Sequence, residues 1–385
     1  MQRIYLDANA TTPLVPEVLD AMRPWLLESF GNASSVHHYG QQARAAIEKA
    51  RAQAAALLHC REAEIVFTSG GTESDNMALF GLLAPGDHLI TSAIEHHAVL
   101  HAAERLRDRG VDVTFLTTPA SGALDPAEVR AALRPNTKLI SVMMANNETG
   151  IIQPVEEIGH IAHEADVWFH TDAVQAGGKL PLDVDAIGCD LMSLSGHKMH
   201  APQGTGILYI RRNTRLEPLF FGGSHERQRR AGTENVAGIV GLGRAAELAA
   251  QALASGALNR VAALRDRFEQ GILSQIPGTS VNGAGPRVPN TSSLYFSEVE
   301  GEALVIALDM KGVAVSGGSA CQSGASEPSH VLAGMGYPDS RARSSVRFSL
   351  SKLTTEADID TALALVPEAV ERLRAISPVH AGTLG

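Results

Sequence analysis

Leu191-Met192-Ser193-Leu194-Ser195-Gly196-His197-Lys198 is a short apolar run that ends in a hydroxyl, a glycine, an imidazole and a lysine. A run of this length and composition predicts a buried strand. A second run upstream, Val167-Trp168-Phe169-His170, leads into Thr171-Asp172-Ala173-Val174-Gln175. An aspartate closing one strand and a lysine closing the next suit a site for pyridoxal phosphate (PLP). The lysine would hold the aldehyde as a Schiff base, and the carboxylate would pair with the pyridinium nitrogen. Taken alone, the same four residues read more readily as a solvated lysine behind a strand.

Outward from that pair, the chain from Ile4 to about Ala250 alternates short apolar runs with helical patterns. This predicts an α/β fold with a mostly parallel sheet and crossover helices. Strands are expected at 64–67, 88–91, 112–116, 138–144, 167–170, 191–194 and 206–210, and helices at 41–58 and 125–133. An alanine-rich helical stretch over 234–275, broken near Ser255-Gly256, leads to a second unit. There, strands are expected at 290–296, 313–315 and 345–350, with a closing helix over 355–375.

At 385 residues the chain exceeds the size at which single cores stop growing, so two domains are expected. The net charge of -10 argues against nucleic acid as a partner, and the patch Arg227 to Arg230 is too short to track a phosphate backbone. The first residues have no signal-peptide layout, and no uninterrupted apolar run approaches the roughly 18 to 20 residues that span a bilayer. Cys60, Cys189 and Cys321 are odd in number and widely spaced, which fits neither a disulfide framework nor a zinc site. The expected setting is reducing and cytoplasmic.

Several constellations carry chemistry. Phe67-Thr68-Ser69-Gly70-Gly71-Thr72-Glu73-Ser74-Asp75 is a strand entering a glycine turn and a polar helix start, which makes an anion site or an ordinary capped turn. It lacks the lysine of a nucleotide P-loop. In Glu95-His96-His97, one imidazole could stack on an aromatic cofactor, shuttle protons or cap a helix. Asn146-Asn147-Glu148-Thr149-Gly150 follows a strand at the edge where open α/β sheets bind ligands, and equally fits a polar turn. His160, His163 and Asp166 read as a solvated helix face, and Gly241-Leu242-Gly243 lies within a helical run and so is no dinucleotide loop. Ser316-Gly317-Gly318-Ser319-Ala320-Cys321-Gln322-Ser323-Gly324 surrounds one cysteine with small residues, the setting of an exposed nucleophilic thiolate or of a flexible linker with an incidental cysteine. Arg347, in an alternating strand, calls for a carboxylate partner from the chain or from a ligand.

Together these segments resemble the cysteine desulfurases of the NifS and IscS type, a branch of the class-V aminotransferases and fold-type I PLP enzymes. The resemblance runs from Tyr5-Leu6-Asp7-Ala8-Asn9-Ala10-Thr11-Thr12-Pro13 to Ser345-Val346-Arg347-Phe348-Ser349-Leu350. Its most specific parts are Ser195-Gly196-His197-Lys198, His225-Glu226-Arg227 with Arg230-Ala231-Gly232-Thr233, and Ser319-Ala320-Cys321 followed by Glu327-Pro328-Ser329-His330. It implies a large PLP-binding domain over 12–255 with a mostly parallel seven-stranded sheet. It also implies a small domain formed by 1–11 and 256–385 that carries the cysteine loop. Lys198 is implied as the Schiff-base lysine, Asp172 as the partner of the pyridine nitrogen and His96 as the ring stacked on PLP. Gln175 and Asn147 would reach the phenolic oxygen, and Gly71, Thr72, Ser195 and His197 the phosphate. Thr233 would come from the neighbouring subunit of a homodimer. Asn32 and Arg347 would take the substrate carboxylate.

The implied reaction converts L-cysteine to L-alanine. The Lys198 amine removes the Cα proton, and Cys321 attacks the substrate sulfur to become a persulfide that serves an acceptor protein. The acceptor would be an iron–sulfur scaffold or a sulfur carrier. Gly31-Asn32-Ala33, Gln322 to Ser326 and the C-terminal residues depart from the commoner family forms, which leaves the acceptor open. A selenocysteine lyase and a catalytically silent partner protein on the same scaffold are the alternatives. Cys321 argues against a plain aminotransferase, and Lys198 with Cys321 against a silent scaffold.

Overall fold

The computed structural model describes residues 3–317 and 328–376. Its first strand, β1 (Ile4–Tyr5), is followed by the seven strands of a large sheet. These are β2 (Ile65–Thr68), β3 (His88–Ser92), β4 (Asp112–Leu116), β5 (Thr137–Ser141), β6 (Trp168–Asp172), β7 (Leu191–Ser195) and β8 (Gly206–Ile210). Their spatial order is β2-β8-β7-β6-β5-β3-β4. The strands from β3 to β7 pair in parallel, while β8 runs antiparallel to both of its neighbours. β2, β3, β7 and β8 are buried throughout, because helices cover both faces of the sheet. That explains why these strands read as continuous apolar runs rather than alternating ones. β4 forms the edge and is half-exposed.

A second sheet, in the order β12-β13-β10-β9, is antiparallel and is built from β9 (Thr279–Val281), β10 (Thr291–Phe296), β12 (Ser316–Gly317) and β13 (Ser345–Ser349). β1 pairs in parallel with β11 (Val313–Ala314), and Asp7 bridges to Ser349, so the chain's first residues join this second unit. A separate core gathers Leu6, Phe268, Phe296, Phe348 and Val366 around it.

The helical stretch over 234–275 is two helices, Val236–Ala254 and Ala257–Gln275, divided at Gly256, whose φ of 69° lies in the left-handed region. Val236–Ala254 is long and apolar enough, by length and composition, to cross a membrane, although glycines and charged residues interrupt its apolar run. Half of that stretch is buried here, against the helices Pro16–Leu27 and His38–Leu58. Gly243 is the close-approach point: a Cβ there would lie 2.6 Å from the Cα of Ala50. Gly241 and Gly243 therefore serve helix packing.

Candidate active site

β5, β6 and β7 end at the same edge of the large sheet, where parallel sheets open into a ligand crevice. A cavity of about 330 Å³ opens there. Its lining includes Gly71, Thr72, His96, Asn147, Asp172, Gln175, Ser195, His197, Lys198 and Arg347. Ten of the expected site residues thus face one space. Asn32 and Thr233 are not in this lining. Asn32 Oδ1 accepts from the Ser34 N–H at 2.8 Å, and Thr233 is exposed. Cys321 lies outside the described residues.

Lys198 ends a single 3-10 turn, Gly196–Lys198, directly after β7. Its Nζ donates to the carbonyls of Asn9 and Ala10, each at 2.6 Å. The N-terminal segment is pinned over that turn, since Thr12 donates its N–H and its Oγ1 hydroxyl to the His197 carbonyl at 2.9 and 2.7 Å. Asp172, only 5 % exposed, closes β6 and accepts from the Val174 N–H at 2.8 Å. Burial raises its pKa, against the pull of that N–H and of the Lys198 cation. A protonated ring nitrogen set beside it would supply the partner that the burial lacks.

His96 caps the helix His97–Arg107 by accepting the Ala98 N–H on Nδ1 at 3.1 Å, so its proton sits on Nε2. Burial, and then the Lys198 cation, push its pKa down to about 4. A neutral, edge-anchored ring is what stacking on a flat cofactor requires. Capping and cofactor contact are compatible in one residue. His97 and His330 line the same cavity, with ring centroids 4.4 Å apart, and the His330 Nε2–H donates to the Glu95 carbonyl at 2.8 Å.

Gly71 begins the helix Gly71–Leu82, with its first turn facing the cavity. A Cβ on Gly71 would come within 2.6 Å of Val174 Cγ2, so the bare backbone is required for this approach. Free N–H groups at that helix start, with Ser195 and His197 opposite, form a cradle that fits a phosphate. His197 is held to Thr11 Oγ1 by its Nδ1 at 3.1 Å, and burial lowers its pKa to about 4.

Arg347, 4 % exposed on β13, donates NH1 to the Asn147 carbonyl and NH2 to Asp7 Oδ1, both at 2.9 Å. Its Nε and the Asn147 Oδ1 have no partner among the described residues. The arginine therefore has an internal carboxylate and still keeps a buried donor for a ligand. The donor set fits PLP: an amine, a buried carboxylate, a neutral imidazole, an anion cradle and an arginine. The two described thiols do not compete for the chemistry. Burial pushes Cys60 up to about 12 and raises Cys189 as well.

Sequence patterns missed several lining groups. The carbonyls of Asn9 and Ala10 carry no residue signature. Asp75 and Glu148 also line the cavity, and lie within segments whose other members carry the clearer chemistry. Glu148 is buried, accepts from the Ser329 Oγ hydroxyl, and has its pKa raised to about 7 by burial.

The class-V aminotransferase family model matches residues 4–362. The chain is 51% identical over 382 residues to a protein named cysteine desulfurase 2 from Trichormus variabilis, covering 98% of this chain and 96% of that one. Among solved structures, a NifS-like protein superposes with a TM-score of 0.90 at 35% identity, covering 96% of this chain and 100% of that one. A structure described as SspA in complex with cysteine superposes with a TM-score of 0.80 at 38% identity, covering 91% of this chain and 100% of that one.

Proposed function

The chain belongs to the class-V aminotransferase family and is a PLP-dependent cysteine desulfurase acting on L-cysteine, and from that premise we propose how its side chains divide the work. The observation that carries the assignment is the juxtaposition of Lys198 and Asp172 at the ends of adjacent strands, facing one cavity with Arg347 opposite.

When bound, PLP supplies the electron sink for the charge left at Cα. Asp172 keeps the ring nitrogen protonated, and His96 presents its neutral face to the ring. Gln175 and Asn147 reach the phenolic oxygen. Gly71, Thr72, Ser195 and His197 hold the phosphate, with Thr233 arriving from a second copy of the chain in a homodimer. Arg347 orients the substrate carboxylate, and Asn32 assists. Lys198, whose Nζ rests on the Asn9 and Ala10 carbonyls, would hold the cofactor, and its amine would take the Cα proton. Cys321 would supply the thiolate: its sulfur bonds to the substrate sulfur as the substrate carbon–sulfur bond breaks, the electron pair of that bond stays with the substrate carbon, which takes up a proton, and alanine leaves. The persulfide then passes to an acceptor protein, an iron–sulfur scaffold or a sulfur carrier, in the cytoplasm.

The test is a visible spectrum with sulfide and alanine assays on the wild type, Lys198→Ala and Cys321→Ser. The expected result is a coloured wild type that makes alanine and sulfide from L-cysteine, with both activities lost in each variant. A colourless wild type, or a Cys321→Ser variant that forms sulfide at the wild-type rate, would overturn these roles.

A further inference from the structure

Lys179 lies in the turn that follows β6, four residues after Gln175. Its Nζ donates to Gln175 Oε1 at 2.9 Å. Gln175 Nε2 in turn donates to the Asn9 carbonyl at 3.0 Å, and the same carbonyl accepts from Lys198 Nζ at 2.6 Å. The two lysines are therefore joined through one glutamine amide and one backbone oxygen.

A glutamine amide has two N–H donors on one end and an acceptor on the other, and the two ends are alike in shape. Which end faces a ligand is set by its other contacts. Here both contacts enforce one choice. Turning the amide over would point its N–H groups at an ammonium, which has no acceptor, and its oxygen at a carbonyl. In the observed orientation one Nε2 hydrogen is committed to Asn9 and the other remains for the cavity that Gln175 lines. We propose that Lys179 is a positioning residue that locks the Gln175 amide with its donor end toward the cofactor. This rests on the reading of Gln175 as a donor to the phenolic oxygen.

The charged and titratable groups around Lys179 are Lys198, Arg347, His197 and His200, with Lys352 lining the small cavity behind Lys198 that Lys179 also borders. Burial, and then the cations of Lys198 and Arg347, lower the Lys179 pKa to about 7. The clamp costs part of the ammonium's charge, which the Gln175 oxygen helps to retain.

The experiment compares holoenzyme carrying Lys179→Met, Lys179→Gln or Gln175→Ala with the wild type, in three readouts. These are PLP retained per chain, the pH titration of the bound cofactor's visible band, and kcat and KM for L-cysteine. Lys179→Met should retain PLP and shift the titration midpoint in the same direction as Gln175→Ala. It should also lower kcat about 10-fold with little change in KM, as loss of a partner that orients a contacting group does. Lys179→Gln, a neutral donor, should recover most of both effects. If Gln175→Ala leaves the titration unchanged, the reading of Gln175 fails and the clamp with it. If Gln175→Ala shifts the band but neither Lys179 variant does, only the clamp fails. Lys179→Gln matching Lys179→Met in full would show that charge acts rather than amide orientation, and would also overturn it.

Discussion

The floor and the wall of the cavity are built differently. The floor, at the ends of β6 and β7, comes from adjacent strands of one sheet paired in register, β7 buried throughout and β6 buried but for Trp168. Asp172 and Lys198 inherit their spacing from backbone pairing, so little else is needed to bring them together. The wall comes from the N-terminal segment and β13 of the second sheet, and polar contacts join it to the floor. Asn9 Nδ2 donates to the Asn147 carbonyl at 3.0 Å and to Thr291 Oγ1 at 2.9 Å, and Arg347 spans Asn147 and Asp7. A site divided this way can keep the cofactor groups rigid while the substrate groups depend on how the two units meet. The floor should then control kcat and the wall KM.

Asp172→Asn breaks the floor and should have the larger effect. The amide keeps the shape and can still accept the Val174 N–H, but it holds no proton on the ring nitrogen. The expected result is a fall in kcat of about 10³-fold, typical of removing one preorganised electrostatic group, with KM for L-cysteine nearly unchanged. Steady-state kinetics with bound PLP matched between the proteins measures it. A kcat within tenfold of the wild type would show that the carboxylate is not needed by the ring.

Arg347→Gln breaks the wall. Truncating one member of a buried, hydrogen-bonded charge pair typically costs about 2–5 kcal/mol, and here two partners are lost, the Asp7 carboxylate and the substrate's. KM should rise about 30- to 100-fold, with kcat affected less. Asp7 would be left without its guanidinium, so the melting temperature should drop too. The double variant Asp7→Asn with Arg347→Gln should recover stability but not KM, because it removes the stranded charge without restoring the substrate contact. If KM recovers as well, Arg347 acts through Asp7 alone.

The same division explains what could be read from the residues. β8 coincides with the expected strand at 206–210 and β7 extends the expected strand at 191–194 by one residue, because buried strands advertise themselves as apolar runs, and the half-exposed edge strand β4 coincides with the one expected at 112–116. The expected strand at 138–144 overran: β5 stops at Ser141, and the Met143 N–H turns aside to the Glu95 carboxylate at 2.9 Å. An apolar run cannot show that one of its amides is claimed by a side chain 48 positions away. The floor was legible because its residues are chemically distinctive and end their strands. The wall was less so, since it depends on the carbonyls of Asn9, Ala10 and Asn147, which any residue possesses. Lys179 was hidden for a related reason: as a residue type it looks like a surface lysine, and only its spacing of four from Gln175 hints otherwise. Asn32 and Thr233, which the resemblance alone singled out, lie outside the lining.

Glu95 offers the smallest and most specific test, because it lies under the floor rather than in it. It is buried, with Oε1 accepting from Ser92 Oγ at 2.6 Å and from the Met143 N–H, and with Oε2 unpartnered among the described residues. Burial lifts its pKa from the ordinary 4.5 to about 8. Folded chains thus hold a proton that unfolded chains release above about pH 4.5, so this stability is lost progressively as the pH rises to about 8 and no further beyond. The buried histidines act with the opposite sign. His96, His197 and His200 are lowered from 6.5 to about 4, so they favour the folded state above about pH 6.5 and withdraw that support as the pH falls toward 4. The histidine contribution fades as the pH rises from 6.5 toward 8, while Glu148 and Lys179, both near 7, still titrate there, so Glu95 is isolated by the difference between the wild type and a Glu95 variant. Glu95→Gln, of the same shape and without a titrating proton, should lessen the loss of melting temperature with rising pH across about pH 4.5 to 8, the upper window from pH 6.5 to 8 included, while leaving the limb below about pH 4.5 in place. An unchanged slope in that upper window would mean that Glu95 is ionised in the folded protein and that the floor rests on a buried charge instead of a neutral acid.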